Sequence, residues 1–316
     1  MKDIIAPVDK RLLLNELTPD KFLRKTNKLN NDLYVVSAHD SPNVMREIGR
    51  LRELSFRYAG GGTGEEIDMD HYDVAENPYR QLIVWNNTEQ EILGGYRFHI
   101  CDESHVGKDG KINLATAELF HFSDTFIREY LPYTIELGRS FVQPAFQSTN
   151  RFGKGMYSLD NLWDGLGALV VRNPDKRYFL GKATMYTSYN INARNMILFF
   201  LNKHFGDRER LIYPHETLSL QPDMHEDEMN KIFIGNSYEE DYRILFQKVR
   251  SYGENIPPMI HSYMNLSPSM RIFGTARNPF FGGVEETGLL ITINDIYGNK
   301  VERHISTYQN NNEKQI

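Results

Sequence analysis

The sequence predicts an α+β fold, and three observations carry that reading. Strand-like and helix-like apolar patterns alternate along the 316 residues in the order strand, helix, strand, strand, strand, helix, strand, helix. YRQLIVWN and EILGGYRFHI, joined by the short polar stretch Asn86 to Gln90, form a hairpin and make part of the sheet antiparallel. The stretch IELGRSFVQPAFQ (135–147) breaks ordinary alternation and marks a distorted strand.

The elements follow in chain order. LYVVSA (33–38) is a strand. Ser41 and Pro42 start a helix on which Val44, Ile48, Leu51, Leu54 and Tyr58 recur at three- and four-residue spacing, and that apolar face closes at AGGGTG, read as a flexible lid. After the hairpin, LPYT leads into the distorted strand. SLDNLWDGLGALVVRNP (158–174) starts on Ser, keeps helical spacing through Leu162, Leu166, Leu169 and Val170, and stops at Asn-Pro. RYFLGKATM is a buried strand, and SYNINARNMILFFLNKHFG is a helix closed by Gly206. Residues 207–270 read as a mostly helical insertion whose clearest helix is SYEEDYRILFQKVRSYG. GLLITINDI (288–296) and the segment around VERHIST supply late strands. No linker divides the chain, so residues 1–316 are expected to form one domain, with a core over about 30–206 and late strands within 271–306.

Composition excludes several functions. A net charge of −6 gives no broad basic field, so nucleic acid is not an expected partner. Cys101 is the single cysteine, which rules out an intrachain disulfide and a Cys-rich zinc site, and the histidines show no H-E-x-x-H, so no metal is expected. The N-terminus lacks the continuous apolar run of a signal peptide, and MILFFL (196–201) is far too short to span a bilayer. The expected location is the cytoplasm. Peripheral contact with the inner membrane through IPPMIHSYMNL stays open beside packing of that segment onto the sheet.

In IELGRSFV, strict alternation would force Arg139 onto the apolar side with Ile135, Leu137 and Phe141. A β-bulge near Gly138 removes the conflict by shifting the register, so that Glu136 and Arg139 share a face. It also splays neighbouring strands and frees backbone N–H groups to face an oxyanion.

Val142, Pro144, Phe146 and Gln147 fit V-x-P-x-[YF]-[RQ], ahead of a glycine-containing loop and a helix. This resembles the central motif of the GNAT superfamily of acyltransferases. The resemblance implies a GNAT-like acyl-CoA N-acyltransferase fold: an α/β/α sandwich on a mixed, mostly antiparallel sheet splayed at a β-bulge, with helical elaboration. DMDHYD, GGYRFHI, ELGRSFVQP and IPPMIHSYMNL further resemble the family of ornithine-lipid N-acyltransferases, bacterial N-acyl amino acid (including N-acyl glycine) synthases and hemolysin-like proteins. The same pattern is similar to acyl-homoserine-lactone synthases, where R-x-x-x-F, D-x-x-D, a hairpin arginine and E-x-x-R surround the site. Here the matching residues are Arg52 with Phe56, Asp70 with Asp73, Arg97, and Glu136 with Arg139.

The implied reaction is attack of an amine on an acyl thioester. Glu136 is the candidate base, directly or through water, and backbone around Gly138, Ser140, Phe141 and Val142 is the candidate oxyanion and substrate contact. Arg139 would position the acidic partner or the substrate carboxylate. Arg97 and Arg52 are candidates for an amino acid carboxylate, Arg52 equally for an internal salt bridge. Asp70 and Asp73 would meet the substrate amine or serve structure. After Gln147 the chain continues STNRFGKGMYSLDN, with Gly153 and Gly155 displaced from the R-G-x-G loop that cradles a pyrophosphate in CoA-using members. That spacing suits the phosphopantetheine of acyl carrier protein as donor, with acyl-CoA as the alternative acyl thioester, Gln147, Gly153 and Gly155 as its contacts and no permanently bound cofactor. The expected activity is transfer of a long-chain acyl group, plain or 3-hydroxylated, from acyl carrier protein to an amino acid α-amine, glycine before ornithine. The alternatives are an acetyl-CoA-dependent small-molecule amine acetyltransferase and a non-enzymatic, membrane-active hemolysin-like protein.

Overall fold

A computed structural model describes residues 1–107, 110–147, 157–220 and 226–309. Its strands are β1 (Phe22–Lys25), β2 (Asp32–Val36), β3 (Arg80–Asn86), β4 (Glu91–Ile100), β5 (Phe120–Phe122), β6 (Thr134–Val142), β7 (Tyr178–Met185), β8 (Ile212–Pro214), β9 (Arg271–Asn278) and β10 (Val284–Thr292). Eight of them form one sheet in the order β1-β2-β3-β4-β6-β7-β10-β9, while β5 and β8 pair separately. Every pairing in the large sheet is antiparallel except β6 with β7.

The helices are α1 (Lys10–Glu16), α2 (Pro42–Ala59), α3 (His71–Val74), α4 (Asp124–Glu129), α5 (Ser158–Arg172), α6 (Ile191–Phe205), α7 (Glu226–Ile232), α8 (Tyr238–Ser251) and α9 (Pro258–Met264). They cover both faces of the sheet. Leu162, Leu166 and Leu169 of α5 and Ile197 and Phe200 of α6 pack with Leu82, Tyr96, Phe98, Leu137, Phe179 and Ala183. On the opposite face, Val44, Met45, Ile48 and Leu51 of α2 pack with Ile83, Trp85, Ile92 and Phe141. Alternate residues of β3 and β4 therefore serve different layers, as the period of two requires.

Two expectations change. The segment around VERHIST is helical, with Val301–Ser306 forming a wide helical turn rather than a strand. Its Ile305 and Tyr308 are buried at helical spacing, and the His304 carbonyl lies against α5 so closely that a Cβ on Gly167 would meet it at 2.3 Å. The last strands are instead β9 and β10. AGGGTG is no free lid, because the Glu53 carboxylate accepts from the Thr63 N–H (2.9 Å), the Thr63 hydroxyl (2.8 Å) and the Gly64 N–H (2.8 Å). The helix α2 starts at Ser41 and Pro42 as expected, and the Glu16 carboxylate accepts from its first amides, those of Asn43 (3.1 Å) and Val44 (2.8 Å). Of IPPMIHSYMNL, Ile260, Tyr263 and Met264 of α9 are buried against the sheet, while Pro258 and His261 are exposed.

Two features of β6 open the sheet. Its parallel pairing with β7 runs only from Thr134↔Tyr178 to Glu136↔Leu180, although both strands continue well beyond. On its other edge, Gly95 pairs with Phe141 and Arg97 with Gly138, so Tyr96 alone stands opposite both Arg139 and Ser140. That is a β-bulge, and it returns Phe141 to the α2 face. The neighbouring strand must come close to fit it: a Cβ on Gly94 would lie 2.4 Å from the Phe141 carbonyl oxygen. Gly94→Ala is therefore expected to destabilise the fold by about 1–3 kcal/mol, through overpacking against backbone that cannot yield. Urea unfolding checks this, and an unchanged midpoint would contradict it.

Candidate active site

Glu136 lies on β6 at the last residue that β7 pairs, and its side chain is buried. One carboxylate oxygen accepts from the Thr116 N–H at 2.7 Å, and the other from the Tyr79 hydroxyl. The Tyr79 oxygen in turn accepts from the Ala115 N–H at 3.1 Å. Burial, the Glu136 charge and the hydrogen bond to Glu136 hold the Tyr79 phenol well above its ordinary value, so Tyr79 stays a neutral donor. Glu136 is thereby fixed in one orientation by two partners.

The bulge places positive φ on Arg139 (48°), one residue after the glycine expected to take the distortion. A left-handed non-glycine residue costs about 1–2 kcal/mol. Here the Arg139 guanidinium gains a 2.9 Å ion pair with Asp68 and lies 4.4 Å from the Phe281 ring centre, which offsets that cost. Arg139 reaches Asp68 rather than Glu136.

Behind the site lies a buried ion-pair group. Arg52 is wholly buried, with Nε donating to Asp68 at 3.0 Å and Nη1 to Asp73 at 3.3 Å. Arg97 Nη1 donates to Asp70 at 2.7 Å and stands 3.5 Å from Asp73. Gln81 also donates to Asp73, at 3.0 Å. Asp70 and Asp73 share the capping box of α3, which fixes the loop in place. The Arg97 Nε is buried and has no hydrogen-bond partner among the described residues. Gly138 lies directly over it, since a Cβ there would sit 3.4 Å from that nitrogen.

Glu136, Tyr79, Thr116, Arg97, Gly138 and Arg139 border a cavity of about 170 Å³. Its polar wall includes Glu136, Arg97, Arg139, Thr116, Lys182 and Glu286; its apolar wall includes Tyr96, Pro257, Pro258, Met259, Tyr263 and Phe281. Backbone of Gly138, Arg139 and Ser140 faces Lys182, Ala183 and Thr184 across the gap where β6 and β7 part. Burial would raise the Glu286 carboxyl, but the Lys182 and Arg139 cations outweigh it and hold the group below its ordinary value.

His99 pairs with Glu136 across the sheet and stacks on Tyr79 at 4.6 Å. Burial, with His105 beside it, pulls the His99 imidazole from 6.5 down to about 4. Between these values the unfolded chain binds a proton that the folded chain refuses, so stability falls as pH drops from 6.5 to 4. His99→Gln is expected to flatten that limb of the stability profile, measured by urea unfolding at several pH values; an unaltered slope would contradict it.

The structure separates the candidates. Glu136, Arg97, Gly138, Arg139, Ser140 and Phe56 border the cavity. Arg52, Asp70 and Asp73 do not: Arg52 spends its guanidinium on Asp68 and Asp73, and the two aspartates serve the ion-pair group and the α3 cap. Phe141 packs into the α2-side core and Val142 against the α5–α6 side. Gln147 is exposed and donates to the Val142 carbonyl at 2.5 Å; Gly153 and Gly155 lie outside the described residues. Sequence reasoning missed Asp68, Tyr79, Thr116, Lys182 and Glu286. Only Lys182 left a signal, as a charge in the middle of the buried strand RYFLGKATM.

Residues 51–153 match the family model described as an acetyltransferase (GNAT) domain. The chain is 56% identical over 308 residues to a glycine N(alpha)-acyltransferase of Phocaeicola vulgatus, covering 98% of this chain and 94% of the relative. It is 54% identical over 308 residues to a glycine N(alpha)-acyltransferase of Bacteroides thetaiotaomicron, covering 98% and 91%. A solved structure of AAC(6')-Ib with ribostamycin and coenzyme A covers 83% of this chain and 93% of its own, at 13% identity and a TM-score of 0.31, a likeness too loose to guide assignment. On identity carried through almost the whole of both relatives, the chain belongs to the same family as they do and is a GNAT N-acyltransferase.

Proposed function

We propose that this enzyme transfers a long-chain fatty acyl group, plain or 3-hydroxylated, from the phosphopantetheine of acyl carrier protein to the α-amine of glycine. The observation that carries the reading is the Glu136 carboxylate, buried and held by two donors where β6 and β7 part into a cavity. Support for glycine comes from the substrate named for both close relatives. Ornithine ranks second.

In this reading the thioester enters the gap between β6 and β7, its carbonyl oxygen turned toward the bulge backbone from Gly138 to Phe141. Arg97 receives the glycine carboxylate, which gives its unpartnered Nε an acceptor. Glu136 takes a proton from the glycine ammonium, directly or through one water, and the free amine attacks the carbonyl carbon. The C–N bond forms, the C–S bond breaks, and the nitrogen's second proton passes to the departing sulfur, so that the carrier leaves as its thiol. Tyr79 and Thr116 hold the base in line with the amine. The apolar wall of Tyr96, Pro257, Pro258, Met259 and Tyr263 lies along the start of the acyl chain. Among the described residues no helix is long and apolar enough to cross a membrane. The reaction is assigned to the cytoplasm, where carrier protein and glycine meet, with the lipid product passing to the inner membrane surface.

Mass spectrometry of lipids from cells expressing the enzyme, beside cells expressing Glu136→Gln, tests the proposal. N-acyl glycine is expected in the first and not in the second. An N-acyl ornithine would move the acceptor, and no new acylated amino acid in either would overturn the reading.

A further inference from the structure

Lys182 and Glu286 stand in the cavity with no part in the steps above. Lys182 lies on β7 two residues past Leu180, the partner of Glu136, and Glu286 pairs with Thr184 across β10 and β7. Their side chains therefore project from the same face of the sheet as Glu136. The Lys182 ammonium is 3.3 Å from Glu286 and donates to the Ala115 carbonyl at 3.4 Å. Glu286 is buried, and also accepts from Asn278 at 3.1 Å and from the Thr184 hydroxyl at 3.5 Å. The Ala115 carbonyl and the Thr116 amide are two ends of one peptide unit. Lys182 thus holds one end of that unit while Glu136 holds the other. The ammonium and the base are consequently no more than about 8 Å apart.

That separation has a chemical counterpart. The two nitrogens of an extended ornithine are about 6 Å apart. With its α-amine beside Glu136, an ornithine is long enough for its terminal ammonium to reach the place the Lys182 ammonium now holds against Glu286.

We propose that Lys182 is an internal stand-in for the side chain of a diamino acid, and that the Lys182–Glu286 pair sets acceptor choice by filling the volume and neutralising the carboxylate that such a side chain would need. This deepens the assignment of glycine as acceptor and rests on it. Glycine has no side chain to displace the lysine and loses nothing. Ornithine meets an occupied site and a like charge, which is exclusion by an opposing group rather than by better contacts to glycine. Removing the lysine leaves the buried Glu286 carboxylate without its direct ion-pair partner, with Arg139 as the remaining cation near it, a vacancy matched to an ω-ammonium and poorly matched to an apolar chain.

The test is steady-state kinetics of the purified enzyme with long-chain acyl carrier protein and, in parallel, glycine, ornithine or norvaline, which keeps ornithine's carbon chain but lacks its ammonium. For Lys182→Ala, the ratio of kcat/KM for ornithine to that for glycine is expected to rise about tenfold or more, the scale of one hydrogen bond to a charged group. The gain should be much smaller for norvaline and should vanish in Lys182→Ala/Glu286→Ala. Millimolar ornithine should raise the thermal midpoint of Lys182→Ala but not of the wild type. Should Lys182→Ala not fold, Lys182→Gln, with a shorter neutral side chain, carries the same comparison. A ratio that does not move, a gain that persists in the double variant, or an equal gain for norvaline overturns the proposal. Failure of the wild type to acylate glycine at all sinks the underlying assignment, and a wild type active on glycine with an unmoved ratio sinks this one alone.

Discussion

Glu136→Gln is expected to lower kcat for glycine acylation by about 10²–10⁴-fold, the range lost with a positioned general base. The substitution keeps the volume of the side chain. It removes the lone pair that would take the ammonium proton, and its amide turns a donor toward either Tyr79 or Thr116, both of which are donors themselves. A stability loss of about 1–3 kcal/mol should accompany it, because one buried donor then lacks an acceptor. Thiol release in steady state, beside urea unfolding, separates the two effects. Retention of more than about a tenth of wild-type kcat would remove Glu136 from the base role, since that loss is far below what a general base contributes. Glu136→Asp keeps the acid but withdraws it by one methylene, and should fall between the two.

The second large effect concerns stability. Arg52→Leu should cost about 3–5 kcal/mol, as is usual when one partner of a buried ion pair is removed. Asp68 would keep Arg139 and Asp73 would keep Arg97, but both would lose the cation at the centre of the group. Burial pushes the two carboxyls up, yet the arginines outweigh it: Arg139 and Arg52 for Asp68, Arg52 and Arg97 for Asp73. Both carboxyls are therefore held below their ordinary value when folded. Their contribution is complete above the unfolded carboxyl value of about 3.9 and is lost as pH falls through it toward the folded values. In Arg52→Leu the acid limb should be shallower than in the wild type. Equal slopes with equal midpoints would show that the group contributes nothing.

Residues 135–147 disclosed much of this in advance, because a charged residue on the apolar side of a strand has few physical resolutions and a bulge is one of them. They did not disclose which residue would take the left-handed backbone. Glycine was the steric expectation, and Arg139 took it because Asp68 and Phe281 hold its side chain there. Asp68 itself stands two positions before the first residue of the D-x-x-D pair, in an acidic run where no spacing sets it apart. Thr116 acts through its backbone N–H, which no side-chain pattern reports. Tyr79 belongs to no motif in the sequence; only the fold brings it to Glu136, 57 residues further along. VERHIST was misread because a short apolar run fits either period, and its burial beside Gly167 is a tertiary fact.

The peptide unit between Ala115 and Thr116 comes from the long crossover that links β4 to β6, not from the sheet. A brief detachment of that crossover would strip Glu136, the proposed base, of its amide partner while the strands stayed paired, and on that proposal the enzyme would fall silent without melting. The exchange rate of the Thr116 amide hydrogen against deuterium is then a direct gauge of how often the catalytic state is lost.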